Sequence, residues 1–80
     1  MALDQSALHE FLVNELAVDG SNLTSDAPLF SSGLIDSFAL VTLLTFVENE
    51  SGLMISPEDV NLENFDSIDR ILGFVSRAQN

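Results

Sequence analysis

An all-α bundle of three long helices and one short one is the fold this sequence predicts. Two observations carry it. Apolar residues recur at intervals of three and four in separate segments, and no alternating run of strand residues competes with them. A third narrows the topology: turn formers concentrate in one long stretch between the first two helical segments. Eighty residues, 46% of them apolar, suffice for one small domain, 1–80, around a single core. With no cysteine there is neither a disulfide nor a thiolate metal site, so thirteen leucines and six phenylalanines must supply that core.

Leu8, Phe11, Leu12 and Leu16 mark an amphipathic first helix from about Asp4 to Ala17, with Asp4 placed to cap it. Val18 to Asp36 then carries Gly20, Ser21, Asn22, Ser25, Pro28, Ser31, Ser32 and Gly33. This is a loop of nineteen residues, pinned to the core by Leu23, Leu29 and Phe30. Loops of that length in small domains are often functional.

The second helix runs from Ser37 to about Glu50, roughly 21 Å at 1.5 Å per residue, with Asp36 as N-cap and Gly52 just beyond its end. Ala39, Leu40, Val41, Leu43, Leu44, Phe46 and Val47 fix it against the core. On a helical projection Leu40, Leu43, Leu44 and Val47 share one face, while Phe38, Thr42, Thr45 and Asn49 face the other way. Ser56-Pro57 opens the short helix, anchored by Val60, Leu62 and Phe65. The last helix follows Asp66 or Ser67 and buries Ile68, Ile71, Leu72 and Val75. Asp69 near its start and Arg77 near its end suit the macrodipole. Phe11, Phe30, Phe46, Phe65 and Phe74 are assigned to the core.

Thirteen acids face only Arg70 and Arg77, for a net charge of −11. Such a surface excludes nucleic-acid backbones and anionic membranes and favours basic protein partners. Glu58, Asp59, Glu63, Asp66 and Asp69 form an acidic flank unbroken by any base. No basic region followed by an apolar segment opens the chain, and the apolar stretch Phe38 to Val47 is too short to span a bilayer. A monomer in the cytoplasm is therefore expected.

Ser37 is the candidate functional residue. It sits at a helix start, where backbone N–H groups lack intrahelical partners and an anion such as a phosphate is favoured. As a catalytic nucleophile it lacks a partner: the single histidine, His9, falls among polar residues of the first helix, and no nucleophile elbow is present. No calcium-loop pattern or metal-ligand spacing appears either. The hydroxyl reads as an attachment point rather than a reagent.

Pro28-Leu29-Phe30, Gly33-Leu34-Ile35-Asp36-Ser37-Phe38, the apolar helix and Ile55-Ser56-Pro57-Glu58-Asp59 together resemble the acyl carrier protein family, from the first helix to Val75. The resemblance implies a four-helix acyl-carrier-like bundle and a carrier that is not itself an enzyme. It implies that Ser37 receives 4′-phosphopantetheine covalently from coenzyme A, by a separate magnesium-dependent phosphopantetheinyl transferase. The thiol of that arm would bear an acyl or aminoacyl thioester, loaded by an activating enzyme and passed to an acyltransferase or synthase. Asp36 matches the motif aspartate, which in carriers is associated with the metal site of the modifying enzyme; N-capping is compatible with that role.

Two departures matter. Phe38 stands where leucine or methionine is more usual, and the outer face of the second helix carries no charge until Glu48. Thr42 and Thr45 cannot offer the acids that fatty-acid-synthesis carriers display, so the chain looks more like stand-alone D-alanyl, aminoacyl or specialised-metabolism carriers. Partner recognition is expected at Phe38, Ala39, Thr42 and Thr45, with Glu58 and Asp59 steering approach. Bulky core residues favour a small or polar cargo. The competing function is an unmodified acidic interaction module that uses the second-helix face around Phe38.

Overall fold

Capping residues set where the helices of this chain begin. In the computed structural model, which describes residues 3–79, Asp4 accepts the Ala7 N–H at 2.8 Å and opens helix α1, Gln5–Glu15. Asp36 does the same for the Ala39 N–H at 2.9 Å and opens α2, Ser37–Ser51. Asn61 accepts the Asn64 N–H at 3.0 Å ahead of the one-turn α3, Leu62–Phe65. Ser67 accepts the Arg70 N–H at 3.1 Å ahead of α4, Ile68–Gln79. Gly52 ends α2 in the left-handed conformation, φ 76°, its N–H bonded to the Glu48 carbonyl. No strand occurs among the described residues, so the all-helical bundle expected from the sequence is the architecture found. Met1, Ala2 and Asn80, which the single-domain expectation includes, lie outside the described residues.

The core is contributed by every helix and by the long loop. Leu8 and Leu12 of α1, Leu43 and Val47 of α2, Phe65 of α3, and Ile68, Ile71, Phe74 and Val75 of α4 are buried together with Val18, Leu23, Leu29 and Ile35. α4 packs on α1 and α3. Four buried loop side chains, each worth about 1.5–3 kcal/mol when fully removed from water, hold the connection against the bundle.

Several sequence expectations need correction. The first helix ends at Glu15 rather than Ala17, because Ala17 takes a left-handed φ of 58° and the Val18 N–H turns back to the Leu12 carbonyl. The segment from Pro57 is not one helix. Pro57–Asp59 is a single 3₁₀ turn, and Asn61, extended and capping, starts α3 anew. Of its three proposed anchors only Phe65 is in the core; Val60 is half-buried and Leu62 is exposed. Val41, assigned to the core, is 64% exposed, and Leu40, Leu44 and Leu72 are half-buried. Phe11 and Phe46 are half-buried and stack across the α1–α2 seam, centroids 4.1 Å apart and rings within 13° of parallel. Phe30 is also half-buried, at the inner edge of the loop.

Candidate functional site

Ser37 is the first residue of α2 and its side chain is exposed. Asp36 uses its side chain on the Ala39 N–H and its carbonyl on the Leu40 N–H, which leaves the N–H groups of Ser37 and Phe38 without intrahelical acceptors. The hydroxyls of Ser21, Ser25, Ser31, Ser32 and Ser51 donate within the protein, to acceptors on Asp19, Asp69, Asp66, Pro28 and Val47. Ser67 is buried and caps α4. Ser37 has no such engagement among the described residues, so its oxygen is available to an incoming reagent.

An apolar cleft of about 390 Å³ opens beside it. The loop contributes Phe30 and Ile35 to its lining, the 60–65 segment contributes Val60, Asn61, Leu62 and Phe65, and α2 contributes Leu40. Neither arginine lines it: Arg70 donates to the Glu63 carbonyl and Arg77 to the Asn64 side chain. A phosphate on Ser37 would meet helix N–H groups and solvent rather than a fixed cation. No group of three or more metal-ligating side chains occurs among the described residues.

Two turns deliver Ser37 to this position. Gly33 takes φ 84°, where an L side chain is strained, and donates its N–H to the Phe30 carbonyl. The Ile35 N–H bonds the Leu29 carbonyl at 3.1 Å, folding 29–35 on itself. Asp66 then ties this loop to the end of α3. Its carboxylate accepts the N–H groups of Phe30 (2.8 Å) and Ser31 (3.0 Å) and the Ser31 hydroxyl (2.7 Å). Burial alone would raise the Asp66 pKa, but hydrogen bonds from the Ser31 backbone and hydroxyl and the Phe30 and Leu29 backbone outweigh it. The carboxyl is held below its ordinary value of 3.8.

The expected acidic flank is thereby divided. Asp66 is a loop anchor, and Asp69 accepts the Ser25 hydroxyl at 3.2 Å while its N–H bonds the Ser25 carbonyl. Glu58, Asp59 and Glu63 remain, with Glu58 and Glu63 exposed and Asp59 half-buried. On α2, Phe38 is 85% exposed and Thr42 and Thr45 are exposed, whereas Ala39 is half-buried. Phe38 does not fold back onto the loop. Sequence reasoning gave Asp66 no role beyond the flank, and missed Val41 as part of the outer face.

With this geometry in view, the comparisons with known proteins agree. A family model described as phosphopantetheine attachment site matches residues 6–75. The chain is 31% identical over 77 residues to a probable acyl carrier protein PigG from Serratia sp. (strain ATCC 39006), covering 90% of this chain and 88% of that protein. A chain from a solved structure, "Crystal structure of FAD-dependent dehydrogenase", superposes with a TM-score of 0.74 over 85% of this chain and 97% of its own length. At 23% identity that likeness speaks for the fold alone. This chain belongs to the acyl carrier protein family, whose prosthetic group is phosphopantetheine.

Proposed function

We propose that this chain is a single carrier domain whose Ser37 is the phosphopantetheine attachment residue. A transferase would move the arm from coenzyme A onto the Ser37 oxygen: the new serine–phosphate bond forms as the pyrophosphate bond of coenzyme A breaks, adenosine 3′,5′-bisphosphate leaves and the hydroxyl proton is released, and the chain itself would catalyse nothing. The observation that carries this reading is an exposed, unengaged serine hydroxyl at the start of α2, beside an open apolar cleft and after the Asp36 cap. The arm supplies a thiol that holds cargo as a thioester, and the cysteine-free chain offers no competing one. Asp36 both caps α2 and presents a carboxylate next to the reacting hydroxyl, where the magnesium site of a modifying enzyme can use it.

The partners are a phosphopantetheinyl transferase, an acyl- or aminoacyl-activating enzyme and a downstream acyltransferase or synthase. They would read Phe38, Thr42 and Thr45, with Ala39 beneath and Glu58 and Asp59 to the side. The Thr45 hydroxyl donates to the Val41 carbonyl, which leaves it only as an acceptor toward a partner. Exposed Val41 extends its apolar area, and recognition would be by shape and apolar contact. The uncharged outer face supports a specialised-metabolism or aminoacyl carrier over a fatty-acid-synthesis one, with a small or polar cargo.

Incubation with a promiscuous phosphopantetheinyl transferase and coenzyme A, followed by intact-mass measurement, tests the assignment. The expected result is addition of one phosphopantetheine to the wild type and none to Ser37→Ala. No addition to wild type, or addition that survives Ser37→Ala, would defeat it. Cellular function that withstands Ser37→Ala but is lost in Phe38→Ala would instead establish an unmodified interaction module.

A further inference from the structure

Four hydrogen bonds join Asp66 to three consecutive residues more than thirty positions earlier in the chain. Besides the carboxylate contacts to Phe30 and Ser31, the Asp66 carbonyl accepts the Leu29 N–H at 2.7 Å. Leu29 is fully buried, and its own carbonyl accepts the N–H of Ile35, the residue before Asp36. Backbone bonds thus link the Asp66 carbonyl to Leu29 and Leu29 to Ile35, the residue before Asp36-Ser37, while the Asp66 carboxylate holds the two residues that follow Leu29. Asp66 also follows Phe65, which lines the cleft together with Phe30 and Ile35. One residue thus joins the end of α3 to the loop, two of the segments that line the cleft beside Ser37.

We propose that Asp66 is a positioning residue for modification of Ser37: it fixes the 29–35 loop against the end of α3 and so sets the presentation of the hydroxyl and the width of the cleft. This role presupposes the carrier function proposed above. The chemistry of the side chain fits. Three donors converge on it, and a carboxylate is an acceptor with room for all of them. An isosteric amide keeps one acceptor oxygen for the two N–H groups and turns its NH₂ toward the Ser31 hydroxyl, which can accept, so asparagine should support the loop in part. Alanine removes all three carboxylate bonds and leaves only the backbone bond from the Leu29 N–H to the residue-66 carbonyl. The Ser25–Asp69 pair holds the same loop ten residues from Ile35 and takes no part in these bonds.

The experiment is steady-state modification of the full chain by a phosphopantetheinyl transferase with coenzyme A, alongside amide hydrogen exchange. Asp66→Ala should raise KM for the carrier roughly five- to tenfold, with kcat changed much less, as expected when hydrogen bonds to a charged group are lost. Exchange at Phe30, Ser31 and Ile35 should accelerate while that of α1 and the middle of α2 is retained. Asp66→Asn should recover part of the KM, and Asp69→Ala should leave it within about twofold, since it takes no part in those bonds. A folded Asp66→Ala chain modified with wild-type KM would overturn the proposal. Should Asp66→Ala fail to fold, Ser31→Ala removes one of the four bonds from the loop side. It should shift KM in the same direction by a smaller factor, and an unchanged KM there overturns the proposal equally. Absence of modification in the wild type defeats the carrier reading instead, while wild-type exchange at Phe30 and Ser31 in Asp66→Ala would separately refute the anchoring.

Discussion

Replacing Asp36 by alanine and by asparagine separates the two tasks placed on that residue. Its Oδ1 accepts the Ala39 N–H at 2.9 Å, whereas the Leu40 N–H goes to the backbone carbonyl and survives any substitution. Alanine removes a single capping bond, at an exposed helix start, and should cost about 1 kcal/mol. For a domain of this length that is a fall of roughly 4–8 °C in Tm. Asparagine keeps an acceptor oxygen. It loses a favourable charge–dipole interaction of about 0.3–1 kcal/mol, partly offset because one negative charge leaves a chain that carries −11. Its stability should therefore stay within about 0.5 kcal/mol of wild type. Modification should order the variants differently. If the carboxylate serves the magnesium site of the transferase, asparagine and alanine should both be modified slowly, although only alanine is destabilised. Thermal melts followed by circular dichroism, and initial rates of modification by mass spectrometry, give the two orderings. An Asp36→Asn chain modified at the wild-type rate would refute the role of the charge. Equal loss of Tm in both variants would refute the cap.

Two further outcomes concern charge. Asp66 has a lowered folded-state pKa, so its contribution to stability is fully present above its unfolded value of 3.8 and is lost as pH falls through the lower folded value. The stability gap between wild type and Asp66→Asn, from urea midpoints, should be constant above about pH 5 and close below about pH 4; a gap that ignores pH would contradict the hydrogen-bonded carboxylate. Salt should raise Tm. At 10 mM the screening length, about 30 Å, spans a molecule of 32 × 25 × 19 Å, whereas at 150 mM it is about 8 Å and most of the repulsion within the −11 charge is screened. A Tm unchanged between those two concentrations would show that self-repulsion does not limit this fold.

What was legible in the sequence was what is decided locally. Asp4, Asp36 and Gly52 act within four residues of their positions, and each performs the capping its type and place foretold. The exposed placement of Phe38, Thr42 and Thr45 followed from helical periodicity, and that of Ser37 from its place at the helix start. Val41 did not, because α2 is apolar on more of its circumference than the core can cover, and periodicity cannot choose which excess side chain stays outside. The break between the Pro57 turn and α3 was hidden for a related reason. Proline at a first helical position is equally compatible with a 3₁₀ turn, and the decision fell to Asn61, whose extended backbone restarts the helix.

Asp66 marks the real boundary of sequence reading. Among five acids in twelve positions nothing local distinguishes it from Glu63, which is exposed. Its partners lie 35 and 36 residues away, and they exist only once Leu29 and Phe65 are in place. The connection between Glu15 and Ser37, 21 residues long, carries a closure entropy that its own turns cannot offset, so it must be tied from outside. Apolar anchors such as Leu23 and Leu29 hold such a loop down but are tolerant of direction. Hydrogen bonds are directional, and three donors meeting one carboxylate define the orientation of the backbone that carries them. If Ser37 is the hydroxyl that a transferase must find by shape, as proposed, it needs that second kind of restraint more than it needs burial. On the proposed function, the residue that sets the presentation of Ser37 is thus an acid at the end of α3, distant in the chain and ordinary in composition.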